Sequence, residues 1–329
     1  MGLRIKSLSK TFSSGVCFRS QLRALDELNV EIEPNELMAV LGHNGAGKTT
    51  LINILTGVLS PDDDDDTEII INREGIANID EIRKFIGLCA QFDILWEEIT
   101  AEQHLRLFAR LKGIPEHTID DKIRDLLKMV NLEREGKNIV KGFSGGMKRR
   151  LSLAISAIGD PKIILLDEPT TGLDPKVRQQ VWGLVEKLKK NRSIILTTHS
   201  MEEADILGDR VCVMVKGRLK CIGSPLYLKQ QYGLGHRLTL NIERKEVDTI
   251  MANLKKVCPS AVMVDYKGGN LVVGVDDFET LLKLIRLLES EESHGLEEHA
   301  LKKAIRDWNV SHATLEEVFM EVSKEKDVE

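Results

Sequence analysis

An excess of positive charge is missing from this 329-residue sequence: 46 Lys and Arg stand against 52 Asp and Glu, a formal net charge of −6. That balance gives no basic field of the kind nucleic-acid binding demands, so nucleic acid is not expected as a partner. Paired cysteines are missing too. The five, at positions 17, 89, 212, 221 and 258, are odd in number and form no Cys-x-x-Cys pair. They suggest neither a disulfide framework nor a zinc site, and they suit a reducing compartment. No apolar run approaches the roughly 18 to 20 residues of a membrane span, and the N-terminus lacks the charged-then-apolar order of a signal peptide. A membrane served by this protein is expected to be crossed by another polypeptide segment.

What is present is an ordinary globular composition, 42% hydrophobic and 30% charged, in a chain long enough for two domains. "LRIKSL" (3–8) and "LNVEI" (28–32) alternate like strands, "LMAVLG" (37–42) reads as a buried strand, and a helix follows from about Lys48 to Thr56. After "IGLCAQFDILW" (86–96) the pattern turns helical. Thr100 and Gln103 are spaced as a capping box, Leu105, Phe108 and Leu111 share a face, and Ile119, Ile123, Leu126, Leu127 and Val130 predict a second helix. Residues of about 92–158 therefore read as a helical insertion in an α/β domain. The strand "PKIILLDEP" (161–169), a helix with Val177, Val181, Leu184, Val185 and Leu188 on one stripe, and the strand "SIILTTH" (193–199) follow. Strands alternating with helices imply a largely parallel sheet.

Beyond Gly233 to His236 the order becomes β-α-β-β-α-β, the ferredoxin-like arrangement, giving a second, small α+β domain over 236–329 after a first one over 1–235. "EESHGLEEH" (291–299) reads as a loop within it and "KEKDVE" as a frayed end. The acidic run "PDDDDDTEII" reads as a solvated loop rather than a metal site, because consecutive acids converge on one ion only through a sharp turn. Cys212 and Cys221 flank a "KGR" turn and read as small core residues.

"GHNGAGKT" (42–49) fits G-x-x-x-x-G-K-[ST] between a strand and a helix, the context in which that motif binds nucleotide phosphates. Backbone amides of the loop wrap a β-phosphate, Lys48 reaches the β- and γ-oxygens, and Thr49 supplies a ligand to Mg2+. "IILLDE" ends a buried strand in two acids, Asp167 placed to hold the metal through water and Glu168 to act as base on the attacking water. Gln91 and His199 stand after further strands, where open α/β sheets bind ligands. Gln91 is placed to touch Mg2+ and the attacking water, and His199 to hydrogen-bond the γ-phosphate. "GFSGGMKRR" (142–150) then offers a second phosphate site, a serine hydroxyl beside the amides of a helix N-terminus. One nucleotide needs only one cradle.

The ordered set Phe12, "GHNGAGKTT", Gln91, "FSGGM", "LLDEPTTGLDP" and His199 resembles the nucleotide-binding domain of an ATP-binding cassette transporter, from residue 3 to about 232. "LGHNGAGKTTLINILTG", "EITAEQHLRLFARLKGI", "FSGGMKRRLSLAISAIGDPKIILLDEPTTGLDP" and "ATLEEVFMEV" resemble segments of the first such domain of the eukaryotic subfamily A, the large lipid exporters, and the last extends the likeness to that family's regulatory domain. The resemblance implies a P-loop NTPase fold of the ABC ATPase type, with a RecA-like core, an antiparallel β subdomain and a helical subdomain. It implies ATP and Mg2+ as cofactors, with ATP held by Gly42, His43, Asn44, Gly45, Ala46, Gly47, Lys48, Thr49 and Thr50, and Phe12 stacking on adenine. Ser144, Gly145 and Gly146 would face the γ-phosphate held by a second nucleotide-binding domain, and Asp174 would lie in the loop contacting that partner. Partners implied are that second domain and the transmembrane domains of a transporter, with the chain at the cytoplasmic face of a membrane and meeting it only through them. Phe143, Met147 and Ala90 depart from the commoner Leu, Gln and Pro of the wider family, and the acidic hairpin lacks its usual closing glycine. A soluble cassette ATPase without a transport role is the rival reading, whereas a P-loop small-molecule kinase predicts no "FSGGM".

Overall fold

The computed structural model describes residues 2–14, 20–62, 67–71, 85–232, 236–275, 278–289 and 304–324. The chain divides into two compact units, Met1–Pro225 and Leu226–Glu329, so that the helix Pro225–Tyr232 falls at the start of the second rather than the end of the first.

In the first unit a six-stranded sheet runs in the order β5 (Ile86–Cys89), β6 (Ile163–Asp167), β7 (Ser193–Thr198), β3 (Leu37–Leu41), β8 (Arg210–Val215), β9 (Arg218–Gly223). The first five strands are parallel and β9 is antiparallel to β8. Every residue of β3, β6 and β7 is buried, as expected where helices cover both faces of a parallel sheet and the strands read as unbroken apolar runs. The register pairs Leu41 with Thr198 and Asp167 with Thr197, so three strands end level. Their following loops are thereby brought to one edge.

A second, antiparallel sheet has the order β2 (Ser20–Ile32), β1 (Leu3–Ser14), β4 (Glu68–Ile71). Leu8, Leu25 and Leu28 from it share a core with Leu51, Ile52, Ile54 and Leu55 of α1 (Lys48–Leu55). Between β5 and β6 stand α2 (Ala101–Leu111), α3 (Glu116–Met129) and α4 (Gly145–Ala157). The capping box forms as expected: Thr100 Oγ1 accepts from Gln103 N at 3.2 Å, and Gln103 Oε1 accepts from Thr100 N at 2.8 Å. The buried stripe of α2 runs through Ala101, His104, Leu105 and Ala109 and leaves Leu111, its last residue, exposed rather than on a shared buried face with Leu105 and Phe108. After β6, α5 (Pro175–Leu188) buries Val181, Trp182, Leu184, Val185 and Leu188, and α6 (Met201–Leu207) follows β7.

In the second unit β10 (His236–Asn241), α8 (Val247–Val257), β11 (Val262–Lys267), β12 (Asn270–Val275), α9 (Phe278–Glu289) and β13 (Asp307–His312) follow α7 (Pro225–Tyr232) and precede α10 (Leu315–Lys324). The sheet order is β11-β12-β10-β13 with antiparallel neighbours, the split β-α-β arrangement read from the sequence. Leu238, Leu240, Leu271 and Val273 meet Ile250, Leu254, Leu281 and Leu284 in its core. Residues 291–299 and 325–329 lie outside the described residues.

Cys89, Cys212, Cys221 and Cys258 are buried. Cys212 pairs in register with Ile222 and Cys221 with Val213, so the two cysteines sit diagonally on adjacent strands, and burial pushes the Cys212 thiol up to about 12. Of the acidic run, Asp62 lies 3.5 Å from Lys10 Nζ, and residues 63–66 are outside the described residues.

Candidate nucleotide site

The loop from β3 to α1 turns through Gly45 at φ 82° and Gly47 at φ 104°. A side chain at Gly47 would be strained twice, because a Cβ there would also lie 2.4 Å from the carbonyl of Ala24. At Gly45 a Cβ would meet nothing within 4 Å, so the tip of the loop is open. Lys48 is 5% exposed and donates to the carbonyls of Gly42 at 2.7 Å and His43 at 3.2 Å, with Glu168 Oε1 3.5 Å away. Burial lowers its pKa, against the pull of Glu168 and Asp167. Thr49 is exposed at the helix start, beside the positive end of the α1 dipole.

Glu168 is the hub. Its Oε2 accepts from Gln91 Nε2 at 3.3 Å and Thr171 Oγ1 at 3.0 Å, and lies 3.1 Å from His199 Nδ1. Burial alone would raise its pKa, but the Thr171 hydrogen bond and the charges of His199 and Lys48 outweigh it and hold the carboxyl below its usual range. The backbone at Glu168 has φ 44°, a left-handed conformation uncommon for a residue with a side chain. Asp167, 4% exposed, accepts from Thr197 Oγ1 at 2.5 Å. Gln91, Lys48, Asp167, Glu168 and His199, five residues from four strand ends, thus converge.

Ser144 and Gly146 are engaged elsewhere. Ser144 caps α4, its hydroxyl accepting from Met147 N at 3.3 Å, and a Cβ on Gly146 would lie 2.7 Å from Val177 of α5. Asp174 caps that same α5, accepting from Val177 N at 3.0 Å. The start of α4 and the start of α5 thus meet through Gly146 and Val177, and Ser144 and Asp174 are both exposed. Phe12 stands on β1 opposite Leu22, 37% exposed, with Lys10 Nζ 6.0 Å from its ring centre.

Three groups were not singled out in the sequence. Thr171 holds the Glu168 carboxylate. Glu203, fully buried on α6, accepts from Thr170 Oγ1 at 2.8 Å and Trp182 Nε1 at 3.1 Å, and burial raises its pKa despite hydrogen bonds from Thr198, Thr170 and Trp182. Arg149, 4% exposed, reaches the backbone on both sides of Glu168 and at Gln91. The acids of "MEEAD" and the basic run "MKRR" look like solvated surface in sequence. Nothing in either run marks the buried member.

A family model described as ABC transporter matches residues 25–171, which span the glycine loop, Gln91, Ser144 and Glu168. ABC transporter A family member 2 of Arabidopsis thaliana is 40% identical over 352 aligned positions, covering 100% of this chain and 34% of that protein. A family member 9 of the same plant is 40% identical over 343 positions, covering 100% and 35%. The chain is an ABC ATPase domain of subfamily A. Among solved structures, the dimeric ATP-binding cassette MJ0796 in a post-hydrolysis state, bound to ADP and Pi, matches with a TM-score of 0.59 and 26% identity over 68% of this chain and 98% of that one. The chain spans about a third of the length of the curated relatives it matches.

An ABC ATPase domain binds ATP with Mg2+ and hydrolyses it, and the donor set of this one fits that pair. Its open glycine turn precedes a helix N-terminus, which suits phosphate, and the Thr49 hydroxyl, the Asp167 carboxylate and the Gln91 amide oxygen are the hard oxygen ligands that Mg2+ takes.

Proposed function

We propose that this ABC ATPase domain is half of a two-site ATPase that pairs head to tail with a second nucleotide-binding domain and drives transport, of a lipid, by membrane-spanning domains outside this chain. The observation that carries the pairing is the placement of "FSGGM". Ser144 and Gly145 are exposed at the N-terminus of a 13-residue helix, and a Cβ on Gly145 would meet nothing in this chain within 4 Å. An N-terminus of that kind is a ready anion site. Its nearest neighbour in this chain is Val177 of α5, against Gly146, and in this reading its phosphate is one held by another subunit. The likeness to a dimeric cassette supports the same reading.

In this reading the residues of 42–50 and Phe12 would hold ATP, Thr49, Asp167 and Gln91 would hold Mg2+, and His199 would meet the γ-phosphate. Glu168, ionised and fixed by Gln91, Thr171 and His199, takes the proton of the attacking water. Bound Mg2+ neutralises phosphate charge. Ser144, Gly145 and Gly146 bind the γ-phosphate from the far side, so hydrolysis removes the group that holds the pair closed. Asp174 faces the partner.

The membrane domains are taken to dock beside Gln91. A groove of about 420 Å³ runs between β5 and the helical insertion, lined by Leu88, Ala90, Phe92, Ile94, Phe108 and Ile155 among others. Phe92 is 78% exposed, Ile94 70% and Trp96 48%, an apolar surface directly following the γ-phosphate contact. No helix among the described residues is long and apolar enough to cross a membrane. In this reading the chain lies at the cytoplasmic face because the membrane domains dock there. Residues 1–235 form the nucleotide-binding domain, with the helical subdomain at about 92–158, and 236–329 a regulatory domain. The testing variant is Lys48→Ala. Losing a desolvated cationic partner costs roughly 2 to 5 kcal/mol, so ATP binding or turnover should fall at least tenfold. Near-normal turnover would sink the assignment.

A further inference from the structure

Two arginines follow the signature and do different work. Arg150 donates to the carbonyls of Val130 at 3.0 Å and Asn131 at 2.9 Å, where α3 ends. Arg149 turns inward. Its Nε donates to Pro169 O at 2.6 Å and its Nη2 to Asp167 O at 3.2 Å, the two carbonyls that flank Glu168. Its Nη1 donates to Ala90 O at 2.6 Å, with Gln91 O at 3.5 Å and Asp93 Oδ1 at 3.3 Å alongside. One turn on, Ser152 Oγ donates to the same Asp93 oxygen at 2.8 Å and keeps that carboxylate in place.

This set of acceptors singles out arginine. A guanidinium has five N–H donors in a rigid plane, and here all three nitrogens are used, on backbone from two separate loops. A lysine has three donors on one atom and cannot span those carbonyls. The backbone held in this way is unusual on one side: Glu168, between the two clamped carbonyls, has φ 44°. The helix that carries Arg149 is also the helix capped by Ser144.

We infer that Arg149 is a positioning residue: its guanidinium ties the backbone carrying Gln91 and Glu168 to the helix presenting Ser144, so that γ-phosphate contacts in this chain's site set the pose of the signature facing the other site. The inference rests on the two-site reading proposed for the domain. Arg149 is buried, and its bonds go to the backbone of Ala90, Gln91, Asp167 and Pro169 and to the Asp93 carboxylate. It acts through Gln91, Glu168 and Ser144, and it leaves Lys48 and the glycine loop alone.

The test compares the 329-residue chain with Arg149→Lys and Arg149→Met. Affinity for a fluorescent ATP analogue, kcat and KM for ATP, and thermal melting are measured on each. ATP-dependent sedimentation is followed with Glu168→Gln added. The expected result is analogue affinity within about threefold of the parent, kcat lower by about tenfold or more with KM little changed, and ATP-dependent pairing weakened, the lysine variant lying between. Parent-like kcat and pairing in Arg149→Met would overturn the inference, as would affinity and turnover falling together in proportion to the folded fraction. Should the methionine variant fail to fold, the charge-retaining lysine variant is judged by the same criteria. A parent that binds ATP yet never pairs would overturn the two-site reading itself, and the inference with it; a pairing parent isolates the role of Arg149.

Discussion

Glu168→Gln separates binding from chemistry at this site. Glu168 Oε2 accepts from Gln91 Nε2 at 3.3 Å and Thr171 Oγ1 at 3.0 Å, and meets His199 Nδ1 at 3.1 Å, while Oε1 lies 3.5 Å from Lys48 Nζ. A glutamine that keeps its carbonyl oxygen at the Oε2 position retains all three contacts. Its amide nitrogen then faces Lys48, which keeps its bonds to Gly42 O and His43 O and so stays in the glycine loop. ATP binding should therefore survive within severalfold. The carboxylate that takes the water's proton is gone, and general-base contributions of about 10²- to 10⁴-fold correspond to roughly 2.7 to 5.4 kcal/mol of barrier at about 1.36 kcal/mol per decade. Bound ATP and turnover per bound ATP are to be measured on the same preparation, at neutral pH, where the lowered pKa of Glu168 keeps the parent's base ionised. Retained binding with turnover down a hundredfold or more is expected. Lost affinity with turnover per bound ATP preserved would place the base elsewhere.

A pH series on Glu203→Gln tests the buried acid on α6. Its folded pKa is raised, so the stability it lends is fully present below the ordinary glutamate value of about 4.3 and is lost as pH rises through the folded value. The glutamine variant, neutral throughout, should gain on the parent in chemical unfolding as pH rises from about 4 towards 8, by about 1.4 kcal/mol for each tenfold difference in proton affinity between the folded and unfolded parent; a difference that stays constant with pH would contradict this. Cross-linking from Trp96 in the intact transporter should reach cytoplasmic loops of the membrane domains, and labelling confined to this chain would count against the docking groove.

The convergence of Lys48, Gln91, Asp167, Glu168 and His199 was legible because Gln91, Asp167, Glu168 and His199 end or follow recognisable strands and Lys48 opens the helix after a glycine loop. The ladders pair Leu41 with Thr198 and Asp167 with Thr197, so these buried parallel strands end level and their following loops meet at one edge. The small domain was legible because its strands and helices alternate in period, down to the Gly268–Gly269 turn with φ of 59° and 82°. Arg149 was not. Its partners are four backbone carbonyls and one carboxylate from two loops, and carbonyls are present at every residue, so no letter in the sequence marks them as acceptors. Glu203 was hidden for a related reason: it and the exposed Glu202 are adjacent acids in a first helical turn, and only the packing of α6 against the sheet tells them apart. Leu111 shows the opposite failure. It lies at helical spacing from Phe108, but α2 ends there and the core no longer lies beneath it.

Whether "FSGGM" reads a nucleotide held by another subunit is decided by sedimentation of Glu168→Gln against Ser144→Arg/Glu168→Gln, each with and without ATP. Ser144 caps α4, and its hydroxyl is engaged with Met147 N rather than with the glycine loop, so the double variant should bind ATP nearly as its parent does. The added cation occupies the place of a hydroxyl that must come within about 2.7 to 3.2 Å of a phosphate oxygen. The parent is expected to shift to a dimer with ATP, and the double variant to stay a monomer while still binding nucleotide. A double variant that dimerises with ATP as its parent does would remove Ser144 from the composite site and contradict the two-site reading.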